Sequence, residues 1–133
     1  MERLSFDTTF LIDLQREQNR SPGVAHQFLE RRPNAIPFCS RIVMGEYAEG
    51  FEDPRGRHVR LMLDSFEPLE ITASTVWKYA EISRDLRAHG KMIGANDCWI
   101  AACSLDAGLP LVSRNLDHFM RIPNLQLIPY RSE

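Results

Sequence analysis

Lysine is nearly absent from this chain: of its 16 basic residues, 14 are arginine and only Lys78 and Lys91 are lysine. Paired cysteines are absent too. Cys39, Cys98 and Cys103 are three in number, and none stands in CxxC spacing. An odd, scattered set argues against a disulfide framework or a thiolate zinc site and reads as small buried hydrophobes. No apolar run approaches the ~18–20 residues of a membrane span. Met1-Glu2-Arg3 leads straight into the first apolar stretch, and Phe6-Asp7 breaks that stretch too early for a signal-peptide core. A cytoplasmic protein is expected. The net charge of −2 lacks the positive excess usual in a non-specific nucleic-acid binder. Repeats, low-complexity tracts and linkers are missing, and 133 residues suit a single domain over 1–133 with one core.

What is present is an ordinary globular composition, 44% hydrophobic and 26% charged. The arginine bias suits planar, bidentate recognition of carboxylate or phosphate, although genomic base composition would produce the same bias.

The stretch LSFDTTFLIDLQ, residues 4–15, places an acid between two segments that both look buried. Arg3 to Asp7 reads as a short strand, and Phe10 to Gln18 as a helix. Ser21 is expected to cap a second helix, with Pro22 at its first position, running through Val24, Phe28 and Leu29. Ile36 to Cys39 reads as a second strand, with Pro37 favouring a strand start or edge. Ser40 caps a helix over Arg41 to Phe51, and Pro54 to Phe66 is helical. Leu69 to Ile71 is a third strand. Ala73 to His89 is the clearest helix, stopped by Gly90, and Gly94 to Ala107 is another. Leu111 to Ser113 and Leu125 to Ile128 complete the strands. Strands alternating with helices predict an α/β fold: a mainly parallel sheet of four to five strands, flanked by helices.

In such a sheet, ligands bind in the crevice outside the carboxyl ends of the strands. Asp7 stands at the end of the first strand. Glu46 lies in the otherwise apolar helix SRIVMGEYAEGF, and Asp97 opens the helix GANDCWIAACSL. Each acid has an ordinary reading. Asp7 starts a turn or caps a helix, Glu46 is a partly solvated helix residue, and Asp97 or Asn96 is an N-cap. Those readings do not explain why all three fall where one sheet edge can gather them. Two unit charges ~4 Å apart repel by roughly 4 kcal/mol at an effective dielectric of ~20. Three acids in one crevice therefore require a raised pKa or a bound cation. Oxygen donors without a nearby cysteine or histidine pair favour Mg²⁺ or Mn²⁺.

These segments resemble those of the PIN-domain ribonucleases, and particularly the VapC-type toxins of toxin–antitoxin pairs. FDTTFLIDL is similar to the opening aspartate motif, with a hydroxyl residue two positions on, here Thr9. SRIVMGEYAEG is similar to the Ser…Glu…Gly segment, and GANDCWIAACSLDAGLPLVSRNLDHF to the final block. The resemblance covers nearly the whole chain in order. It implies a PIN-like three-layer fold and a Mg²⁺- or Mn²⁺-dependent endoribonuclease. It also implies an RNA substrate, a homodimer, and an antitoxin whose C-terminal segment covers the acidic crevice. By the same resemblance Asp7, Glu46 and Asp97 are the metal-binding acids, with Thr9 and Ser113 supporting. Many members carry a fourth acid where this chain has Asn115, and Asp117 stands two residues on.

Arg41 and Arg114 are candidates for steering an RNA phosphate. In PRGRHVR, Arg55, Arg57, His58 and Arg60 form a second basic group for RNA or an acidic partner, or else a solvated helix face. A haloacid-dehalogenase-type phosphatase would need a second aspartate two residues after Asp7, where Thr9 stands. A Cys98 nucleophile is disfavoured by its neighbour Asp97. Two further alternatives are a stand-alone RNA-processing nuclease without an antitoxin and a binding module with a decayed metal site, which Asn115 would permit.

Overall fold

A computed structural model describes residues 1–18 and 23–131 of the chain. In chain order the elements are β1 (Arg3–Phe6), α1 (Thr8–Arg16), α2 (Val24–Glu30), β2 (Ile36–Ser40), α3 (Arg41–Glu49) and α4 (Arg57–Leu63). They continue as β3 (Glu67–Leu69), α5 (Ala73–Ala88), α6 (Ala95–Ala107), β4 (Leu111–Val112), α7 (Leu116–Phe119) and β5 (Leu127–Ile128). The sheet runs β3-β2-β1-β4-β5. All four pairings are parallel, so the expectation of a mainly parallel sheet resolves to a fully parallel one. Among the described residues no helix is long and apolar enough to cross a membrane.

β1 occupies the centre of the sheet, and its last three residues are buried. Leu4 and Phe6 are buried, and Ser5 hides its hydroxyl by bonding Ser104 Oγ at 2.7 Å and the Pro110 carbonyl at 2.8 Å. The Phe6 ring packs on Phe10 at 4.5 Å, Phe66 at 5.7 Å and Phe28 at 6.0 Å between centroids. Each buried ring contributes about 1.5–3 kcal/mol. From β1 the chain continues to β2 on one side, and much later β4 pairs on the other. The strand order thus reverses beside β1, and Asp7 and Ser113 emerge together at that switch point.

Pro37 is the second residue of β2, near the strand start as expected, though the strand is an inner one, and the register explains how. The Ile36 N–H donates to the Glu2 carbonyl on the β1 side at 2.8 Å. N–H groups alternate sides along a strand, so the Pro37 nitrogen faces β3, whose pairing begins only opposite Phe38. No ladder bond is lost.

Several boundaries move for local reasons. α1 begins at Thr8, since Asp7 caps it. The expected Ser21-Pro22 start lies outside the described residues. The described α2 has Gly23 at its N-cap, and the Glu17 carboxylate, from the end of α1, accepts from the Ala25 and His26 N–H groups. These bonds hold the Glu17 carboxyl below its usual range despite partial burial. A Cβ at Gly23 would collide with that carboxyl. β3 sits two residues earlier than expected, α4 is shorter, and α7 was not anticipated. α6 ends at Gly108 in the left-handed region (φ 68°), where the Leu109 N–H returns to the Ser104 carbonyl and turns the chain into β4.

Ser40 caps α3 as expected, its Oγ accepting from the Val43 N–H at 3.1 Å. Ser40→Ala should cost about 1 kcal/mol of unfolding free energy. Urea denaturation measures this, and an unchanged midpoint would show that the cap contributes nothing.

Candidate active site

Asp7 is the most enclosed of the acids, 3% exposed. Its Oδ1 accepts from the Thr8 N–H at 2.7 Å, which is the N-cap bond of α1. Its Oδ2 accepts from Ser113 Oγ at 2.6 Å and Thr9 Oγ1 at 3.1 Å. Burial pushes the Asp7 carboxyl above its ordinary value of 3.8, and the charge of Asp97 adds to that rise. The three hydrogen bonds oppose it. The expected Asx-type cap and the expected site acid are therefore the same residue.

Glu46 projects from α3 toward α1. Thr8 Oγ1 donates to its Oε1 at 2.5 Å, and Asn96 Nδ2 donates to its Oε2 at 2.9 Å. Asn96 is not a helix cap. The N-cap of α6 is Gly94, which places Asp97 in the first turn, where the helix dipole favours an anion. Asp97 keeps a fifth of its side chain exposed; its Oδ2 lies 2.8 Å from His118 Nδ1 and 3.3 Å from Asn115 Nδ2. The Asn115 N–H in turn donates to Ser113 Oγ at 2.9 Å. One chain of polar contacts thus runs from Asp97 through Asn115 and Ser113 to Asp7.

Asp117 does not join this chain. It is exposed, and its side chain has no hydrogen-bond or ion-pair partner among the described residues. His118, one residue later, takes the place beside Asp97. Sequence reasoning missed it, although its spacing of three from Asn115 puts both on one face of a single helical turn. Thr8 and Asn96 were also missed as partners of Glu46.

The candidate arginines divide into paired and exposed ones. Arg41 is bound through two nitrogens to Glu70, at 2.9 and 2.5 Å. Arg114 turns toward the buried Asp13, with Nε 3.4 Å from Oδ2. Arg55, Arg57, His58 and Arg60 are exposed. The three cysteines are free and buried. Burial pushes the Cys39 thiol up to about 12 and the Cys103 thiol to about 11. Cys98 is raised by burial and by Asp97, as its acidic setting predicted. None is a nucleophile in this setting.

A family model for the PIN domain matches residues 5–125, which include every residue of this polar chain. The chain belongs to the PIN domain family. Among relatives, this PIN domain is 29% identical over 116 residues to ribonuclease VapC2 of Rickettsia felis, covering 82% of this chain and 86% of that protein. It is 27% identical over 125 residues to ribonuclease VapC1 of Haemophilus influenzae, covering 90% and 92%. Its fold is similar to that in VapBC2 of R. felis bound to a promoter DNA fragment, with TM-score 0.80, 26% identity and coverage of 97% and 99%. DNA-bound VapBC of Salmonella typhimurium gives TM-score 0.85 at 21% identity, covering 98% and 100%, and shares the fold.

The donor set of this PIN domain fits a hard divalent cation. The carboxylates of Asp7 and Asp97 and the hydroxyls of Thr9 and Ser113 present oxygens, while Asn115 and His118 turn nitrogens toward Asp97. Among the described residues no three His, Cys, Asp or Glu side chains close into a ready cage.

The raised Asp7 pKa has a defined linkage sign. The folded state binds this proton more tightly than the unfolded chain, so stability present below 3.8 is lost as pH rises through the folded value. Metal-free Asp7→Asn should escape that loss. Its unfolding free energy relative to wild type should rise with pH across that window, reaching equal or slightly greater stability at neutrality. Urea titrations in EDTA over a pH series test this. A relative stability that falls with pH would contradict it.

Proposed function

We propose that this PIN domain is a divalent-metal-dependent endoribonuclease and the toxin of a toxin–antitoxin pair, working as one domain over 1–133. The observation that carries the reading is the buried Asp7 carboxylate at the sheet's switch point, linked to Asp97 through Ser113 and Asn115. The likeness of the chain to VapC ribonucleases over most of its length supports it. Asp7, Asp97 and Glu46 would hold Mg²⁺ or Mn²⁺, which supplies Lewis-acid stabilisation of charge growing on a scissile phosphate. The protein's part is orientation. Thr8, Thr9 and Ser113 fix Asp7, Thr8 and Asn96 fix Glu46, and Asn115 and His118 fix Asp97. Asn115, the feature that would permit a decayed site, is bonded into the cluster. Its amide adds no charge, so a second ion would depend on charge brought by the substrate.

A groove of about 620 Å³ lies between α1, α2 and α4, lined by Leu14, Leu29, Tyr47, Phe51, Leu61 and Met62; Tyr47, its lining residue from α3, directly follows Glu46. An amphipathic antitoxin segment fits such a groove. A basic side chain on that segment would complement the acidic crevice.

The purified protein should cleave structured RNA with Mn²⁺ or Mg²⁺. EDTA should abolish cleavage, and Asp97→Asn should fall to the EDTA level. Equal cleavage by the variant would remove Asp97 from the mechanism. In a heterologous host, expression of the wild type should slow growth while Glu46→Gln should not. Normal growth with well-expressed wild type would contradict the toxin role.

A further inference from the structure

We propose that Arg31, Arg32 and Arg131 form a second anion site, which grips a phosphate of the RNA strand away from the acidic crevice. The proposal rests on the ribonuclease reading above. It starts from arginines that the acid cluster does not use. A pocket of about 270 Å³ lies where the end of α2 meets the segment after β5, and these three arginines line it together with Gln27 and Tyr130. It shares no lining residue with the apolar groove assigned above to a protein partner.

Positive charge is in surplus at this pocket. Asp13 on α1 is buried, and Tyr130 Oη donates to its Oδ2 at 2.6 Å. Arg114 Nε and Arg131 Nη2 each lie 3.4 Å from the same oxygen, so one carboxylate faces two guanidinium groups. Arg32 is seated over the Phe28 ring, 4.0 Å from its centroid. Its ion pair with the half-exposed Glu2 is long, at 3.7 Å, and such a pair contributes little. Arg31 is exposed, and its side chain has no hydrogen-bond or ion-pair partner among the described residues. Guanidinium forks match phosphate oxygens two at a time, and an RNA strand supplies a phosphate at every nucleotide. The pocket also lies close enough to serve the same strand. Asp7 caps α1, and Asp13 follows on that helix about 9 Å along its axis. Arg131 on Asp13 thus stands within a few nucleotides of the crevice.

Fluorescence anisotropy with a labelled single-stranded RNA, in EDTA so that nothing is cleaved, reads the site. Arg31→Gln should weaken binding about fivefold, the upper range for one exposed charge contact. Its slope of log affinity against log salt should flatten by about 0.7, the value for one phosphate contact on a single strand. Arg31→Lys, which keeps the charge, should keep the wild-type slope. With Mn²⁺ present, KM for cleavage should rise by the same factor while kcat stays within about twofold. An unchanged affinity and slope, or a fall in kcat alone, would overturn the proposal. So would Arg31-dependent calorimetric binding of inorganic phosphate without any effect on RNA, which would mark a free-phosphate site. Arg31-dependent binding of polyglutamate without any effect on RNA would give the pocket to an acidic protein partner and overturn it equally. A wild type that binds RNA through Arg31 but cleaves none would sink the ribonuclease reading alone, and the salt slope would still decide the anion site. A wild type that binds no RNA would overturn both.

Discussion

A buried carboxylate at the exit of the central strand is the constraint that the surrounding structure answers. Asp7 cannot be solvated where it stands, so its oxygens must be met by protein donors. One is the first free N–H of α1, which makes the same side chain a helix cap and a site acid. The others are the hydroxyls of Thr9 and Ser113. Ser113 can reach Asp7 only because β4 pairs directly with β1, placing the two strand exits side by side. The parallel order of the sheet and the occupancy of the Asp7 oxygens are therefore one arrangement.

Charge near Asp7 is rationed. Asp97 is close enough to raise the Asp7 pKa further, while Glu46 is shared between Thr8 and Asn96. Asn115 brings an amide that bonds Asp97 without adding repulsion. His118 supplies a second neutral or cationic neighbour to the same oxygen. The result is a crevice whose acids are individually held by neutral donors and collectively open to a cation.

The arginine-rich composition divides along the same lines. Arg41 and Arg114 are committed to carboxylates within the chain, Glu70 and Asp13. The bidentate Arg41 pair is exposed and contributes little to stability. The Arg114 contact faces a buried acid and joins the end of β4 to α1. The exposed arginines of the 55–60 segment remain for contacts outside the chain.

The local facts were legible in the sequence. Among the described residues, alternating apolar runs and breakers marked the five strands and six of the seven helices, and Ser40 declared itself as a cap. Asp7, Glu46 and Asp97 were legible as acids in apolar surroundings, because a charge interrupting a buried pattern stands out within a few residues. Whether the missing N–H of Pro37 matters depends on where β3 begins, which no local pattern states. The partner of Arg114 was hidden for a similar reason: Asp13 meets it only after β4 and α1 are side by side. Asp13, Tyr130 and His118 were silent because their meaning is relational. Tyr130 is 117 residues from the carboxylate it serves. Periodicity and capping act over a few residues and are written in the chain; the pairing of donors with buried charges acts across the sheet, and tertiary packing alone decides it.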